Sequence, residues 1–132
     1  MLYKQFFLFG VVGVLGFLVD AGVFYFVNTY IENLYVCRLL SYCCAVTTTW
    51  AVNRVLTFKK SFIGESKLSL LLEWAKFFIS QGLGFFINYG TFSVLVFSVP
   101  LFAKFPLLAI AVGSIAGLGV NFLMAKFYIF RK

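Results

Sequence analysis

At 132 residues the chain has room for one small domain, but 63% of it is hydrophobic and only 11% charged, with a mean hydropathy of +1.02, which excludes an ordinary soluble protein. The net charge of +7 does not indicate nucleic acid, because the basic residues form no stripe and sit instead at the ends of apolar segments. With no histidine, four carboxylates and three cysteines that make no CxxC pair or zinc spacing, neither a metal, a cofactor nor a catalytic centre is expected.

A helix needs about 20 residues to cross the hydrocarbon of a bilayer. Four stretches qualify: 6–27, 36–58, 75–99 and 106–130. The first starts after a weak basic residue, Lys4, exceeds a signal-peptide core in length and has no A-x-A site behind it, so it reads as a retained span. Residues 28–35 and 98–105 are short connections, and the polar stretch 59–73 links the halves. Pro106 suits the first turn of the fourth helix, where a missing N–H costs nothing. Cys43 and Cys44 lie inside the second stretch as small packing residues, while Cys37, near its end, could at most bond to another molecule.

The two halves echo each other. Residues 15–24 (LGFLVDAGVF) align with 83–92 (LGFFINYGTF) at an offset of 68, with five of ten positions identical. Residues 53–60 (NRVLTFKK) align with 125–132 (AKFYIFRK) at an offset of 72. The expectation is an all-α membrane protein of four transmembrane helices, built as two parallel two-helix repeats over 4–60 and 73–132, with a linker at about 59–73. Lys4, Arg54, Lys59, Lys60, Lys67, Lys76, Lys126, Arg131 and Lys132 fall on one side of these spans, Arg38 and Lys104 on the other. Nine against two predicts both termini in the cytoplasm.

Asp20 stands alone inside an apolar span, and a buried ionisable group there costs about 2.5–3.5 kcal/mol on insertion scales, so it is a candidate functional position. It reads either as half of a structural ion pair or, with Arg38 and Asn88, as part of a polar intramembrane lane that contacts a ligand. By helical rise, Arg38 lies at a similar depth and Arg54 roughly 15 Å or more away, which makes Arg38 the better partner. In the second half Asn88 replaces Asp20 and Ile110 replaces Arg38, so both charges disappear together. Gly13, Gly16 and Asp20 share one helix face, Gly84 and Asn88 repeat the arrangement, and Gly113 and Gly117 form a GxxxG. These glycines read as helix-packing positions or, for the last pair, an oligomer contact.

Arg54 and Lys126 occupy matching places near the basic ends of the second and fourth spans. They read either as snorkelling anchors or as captors of a lipid phosphate, to which the arginine fork is suited. Asn53, Thr49 and Asn121 lie close by on the same helices, able to bond a sugar or cap exposed carbonyls. Trp50 and Trp74 could anchor at the interface or stack on a sugar ring.

The glycine-rich first span with Gly13, Gly16 and Asp20, then Arg38, and above all the exit Asn53-Arg54-x-x-Thr57-Phe58, resemble the GtrA-like family of small four-helix membrane proteins. The resemblance covers nearly the whole chain. Leu56 stands where a tryptophan is expected before the Thr-Phe pair, and Thr49 where members often carry a small polar residue or asparagine, which leaves subfamily and substrate open. The resemblance implies a protein of the cytoplasmic membrane that moves a polyprenyl-phosphate-linked sugar beside a membrane glycosyltransferase. Four helices are few to enclose such a path, so a homo-oligomer or a groove open to lipid is expected. Two other functions remain: a small multidrug-type exporter using Asp20 for proton exchange, and an adaptor that recruits the glycosyltransferase.

Overall fold

The computed structural model describes residues 1–131, with Leu34 and Tyr35 described by their backbone alone. Lys132, the last basic residue in the topology reading, lies outside the described residues. The described chain is helical, with α1 over Leu2–Asn28, α2 over Leu34–Val52, α3 over Lys67–Ser98, a short α4 over Pro100–Lys104 and α5 over Pro106–Met124. Both α2 and α5 run on without a break into one π-helical turn, Asn53–Thr57 and Ala125–Ile129 respectively.

Among the described residues, three stretches are long and apolar enough to cross a membrane: Leu2–Asn28, Lys67–Ser98 and Pro106–Ile129. α2 is long enough with its π turn, but Arg38, Ser41, the Thr47–Thr49 run and Arg54 dilute it, so the expected fourth span is not among them. Residues 67–73, expected to belong to the linker, form the first two turns of α3. Ser66 caps that helix through an accepted bond from the Ser69 N–H, 3.1 Å. The Leu-rich sequence behind it, with Lys67 and Glu73, favours a helix in water as well as in lipid. The connection 98–105 is likewise not plain coil, since Pro100 opens α4 just as Pro106 opens α5. Asn33 caps α2, its Oδ1 accepting from the Val36 N–H at 3.2 Å.

The chain divides into two compact units, Met1–Ala75 and Lys76–Lys132, with the division inside α3. In the first unit α1 packs along α2 around Phe9, Val12, Gly16, Ala45 and Val46, all buried. Gly16 faces the Thr49 methyl group so closely that a Cβ would collide with it. In the second unit α3 packs on α5 through glycines: a Cβ on Gly113 would lie 2.6 Å from the Asn88 carbonyl oxygen, and one on Gly117 2.6 Å from that of Gly84. The GxxxG therefore forms an intrachain seam, and its reading as an oligomer contact is corrected. Gly13 packs against no described residue of the chain. It is exposed with nothing within 4 Å of a Cβ, because three residues of helix turn it roughly 60° away from Gly16. Cys37 is buried, its thiol on the Ile31 carbonyl at 3.2 Å, a position closed to the intermolecular bond considered for it.

Candidate functional site

Asp20, on the third-from-last turns of α1, meets Arg38 in the opening turns of α2: Arg38 Nη1 donates to Asp20 Oδ2 at 2.7 Å. The partners are unequal. The Asp20 side chain is 17% exposed and that of Arg38 63%, while Asp20 Oδ1 is buried with no hydrogen-bond partner among the described residues. A carboxyl group in an apolar helix is met by a cation that itself stays near the surface, the arrangement that limits the cost of an intramembrane ion pair.

At the other end of α2 the chain builds a second, denser cluster that the sequence reading did not contain. Lys59 takes a left-handed conformation, φ 53°, which turns the chain back and lets the Lys60 N–H reach the Arg54 carbonyl at 2.8 Å. The returning segment lays its groups on Arg54. Arg54 Nη1 bonds both oxygens of Glu73. Its Nη2 donates to the Ser61 carbonyl at 2.7 Å and to Glu65 Oε1 at 3.1 Å, and the guanidinium carbon sits 5.1 Å from the Phe62 ring centre. Trp50 Nε1 donates to Glu73 at 3.1 Å, and Lys60 pairs with Glu73 at 3.3 Å. Two cations and two carboxylates make a neutral set around an arginine only 1% exposed, the condition under which a buried charge is tolerated.

Arg54 is therefore not the snorkelling anchor that its place near a span end suggested. It also offers no open edge to a lipid phosphate unless a carboxylate moves aside. The weaker holder is Glu65, which gives Arg54 one oxygen, takes the Ser69 hydroxyl on the other, and is 35% exposed, against 10% for Glu73.

The remaining sequence-derived positions are placed as follows. Asn53 is buried and accepts from the Thr57 hydroxyl at 2.8 Å, and the Thr49 hydroxyl returns to the carbonyls of Ala45 and Val46, 3.0 Å each. Both are engaged within α2 and the π turn that continues it. In the second unit Asn121 Nδ2 donates to Gln81 at 3.1 Å, with Asn121 Oδ1 buried and unpartnered among the described residues, and Asn88 reaches the Ser114 hydroxyl at 3.5 Å. Lys126 is half-buried, 6.0 Å from the Phe127 ring centre. Of the tryptophans, Trp74 donates to the Thr47 hydroxyl at 3.0 Å.

The contacts inside each unit recur at the offsets of the sequence echo. Gly16 meets Thr49 and Gly84 meets Asn121, which differ by 68 and 72. Phe9 packs on Phe58 with ring centres 6.3 Å apart, and Phe77 on Phe130 at 6.0 Å, again at 68 and 72. The π turns match at 72. What does not recur is the ion pair inside the span, since Asp20–Arg38 becomes Asn88–Ile110, while the basic residue at the helix exit is kept as Arg54 and Lys126.

Comparison with curated proteins gives no match for the chain. A match to the family described as GtrA/DPMS, transmembrane domain, runs over residues 8–130, and with nearly its whole length inside that match the chain belongs to this family.

Proposed function

We propose that the protein carries a polyprenyl-phosphate-linked monosaccharide across the cytoplasmic membrane for glycosylation of a cell-surface polysaccharide, working beside a membrane glycosyltransferase. The observation that carries this reading is the pair of arginines at the two ends of α2, Arg38 on Asp20 and Arg54 on Glu73 and Glu65, in a chain of a transmembrane family. A lipid carrier presents an anionic phosphate, which hydrocarbon rejects, and a sugar rich in hydroxyls. Guanidinium groups answer the first. The amides of Asn88 and Asn121, with Gln81 and Ser114 between apolar faces, answer the second.

The architecture supporting this reading is two parallel two-helix repeats, α1–α2 and α3–α5, with α2 as a fourth span held in the bilayer by its partners. The recurrent contacts at 68 and 72 support the duplication, and the basic asymmetry supports cytoplasmic termini. A cysteine placed at Ser66 in a cysteine-free background should react with an impermeant maleimide only from the cytoplasmic side. Labelling of intact cells from outside would overturn that orientation.

Phosphate capture at Arg54 proceeds by exchange, the headgroup taking the place of Glu65 while Glu73 stays. In vesicles reconstituted with the purified protein, a labelled polyprenyl-phosphate sugar should become accessible in the opposite leaflet, and Glu65→Gln should raise the initial rate several-fold by removing the competing anion. Transport of organic cations in its place would make the chain an exporter. No transport, with glycosyltransferase retained on the purified protein, would make it an adaptor.

A further inference from the structure

Arg38 and Arg54 are 16 residues apart on one continuous helical stretch, about 24 Å at 1.5 Å per residue. Their surroundings are opposite. Arg54 is enclosed, its two terminal nitrogens held by two carboxylates and a carbonyl and its Nε buried without a partner among the described residues. The Arg38 side chain is 63% exposed and gives Asp20 a single nitrogen, which leaves most of its five N–H donors turned to the surroundings. An arginine that merely snorkels to headgroups needs no buried acid behind it. Here one stands at 2.7 Å, 17% exposed, with its second oxygen unpartnered among the described residues. Placing Asp20 in an apolar helix is costly, and what it secures is the position of a guanidinium that would otherwise sample many rotamers.

We propose that Arg38, aimed by Asp20, is a second binding point for the carrier's phosphate group, at the end of α2 opposite Arg54. The proposal rests on the translocase reading. It divides the work along one helix: Arg54 takes the phosphate by carboxylate exchange on one side, and Arg38 receives it with its open edge on the other. Asp20 is a positioning residue and does not touch the phosphate, since two anions would repel. The second unit has asparagine and isoleucine at the matching places and contributes no such site.

The test is binding of farnesyl phosphate to the full-length protein in nanodiscs of zwitterionic phosphatidylcholine. Removing Arg38 alone strands Asp20 and could spoil folding, so the main variant is Asp20→Asn/Arg38→Gln, which removes both charges as the second unit does. It should bind the probe about tenfold more weakly than wild type, the loss expected for one charge-assisted contact. Arg38→Lys, which keeps the charge without the fork, should fall between the two. Unchanged affinity in the double variant overturns this proposal and leaves the translocase reading standing, whereas a wild type that does not bind farnesyl phosphate removes both. Equal competition by inorganic phosphate would assign the site to the free ion, and equal competition by phosphatidylglycerol would reduce Arg38 to a general anchor. Either result overturns the carrier assignment.

Discussion

Glu73→Ala should cost about 3–5 kcal/mol of folding free energy, the range for breaking one side of a buried ion pair. Arg54 would keep Glu65 and the Ser61 carbonyl, which places the expected loss toward the lower end. Trp50 Nε1 and Lys60 lose their partner in the same step. Arg54→Leu/Glu73→Leu should recover most of the stability, because two apolar side chains of similar size avoid the desolvation that the pair must offset. Glu65→Ala should lose under about 1 kcal/mol, as a half-exposed partner does. Chemical unfolding of the detergent-purified variants, followed by circular dichroism, measures all three. A loss in the double variant equal to the sum of the Arg54→Leu and Glu73→Leu losses would show that Arg54 and Glu73 are not coupled.

Gly117→Val should be the most damaging substitution in the second unit. Its Cβ would fall 2.6 Å from the Gly84 carbonyl oxygen and 3.1 Å from the Asn88 Cβ. A backbone oxygen within a helix cannot rotate away, so α3 and α5 must separate. Overpacking of this kind costs about 1–3 kcal/mol or more, and loss of the seam also opens the amides of Asn88 and Asn121. Gly113→Val should behave alike. Gly13→Ala is the matched control: with open space around it, it should be neutral or stabilising by up to about 1 kcal/mol through helix propensity. Thermal unfolding of the three variants decides the matter, and a Gly13→Ala as destabilised as Gly117→Val would remove the seam from this account.

The sequence made the helices legible because hydrocarbon demands length and apolarity, both visible along the chain. Asp20 and Arg38 were legible as a pair because helical rise converts residue number into depth, and depth was enough. Glu73 and Glu65 were not. Apolar span reading stops where polar residues begin, so it assigned 59–73 to a linker and could not see that α3 starts at Lys67, although Ser66 ahead of a Leu-rich run is a cap signal. Nor does a sequence announce that a lysine will adopt the left-handed turn that folds Ser61 and Glu65 back on Arg54. The glycine seam was half legible: Gly16, Gly84, Gly113 and Gly117 were found by spacing, and Gly13 shares that spacing without facing a partner. The π turns have no residue signature here and became visible only in the backbone.

Those π turns bear on ancestry. A π turn holds one residue more than an α turn, so each is an insertion preserved inside a helix. If the halves descend from a single two-helix forebear, an insertion found at Asn53–Thr57 and again at Ala125–Ile129 was present before the gene doubled, as were the Phe9–Phe58 and Phe77–Phe130 contacts. The Asp20–Arg38 charges belong to a later date, or were erased from one copy afterwards. The founding unit on this chronology was a packed hairpin of helices with its π turn already in place, and the contrast between the Asp20–Arg38 pair in one copy and the Asn88 amide in the other came with later divergence.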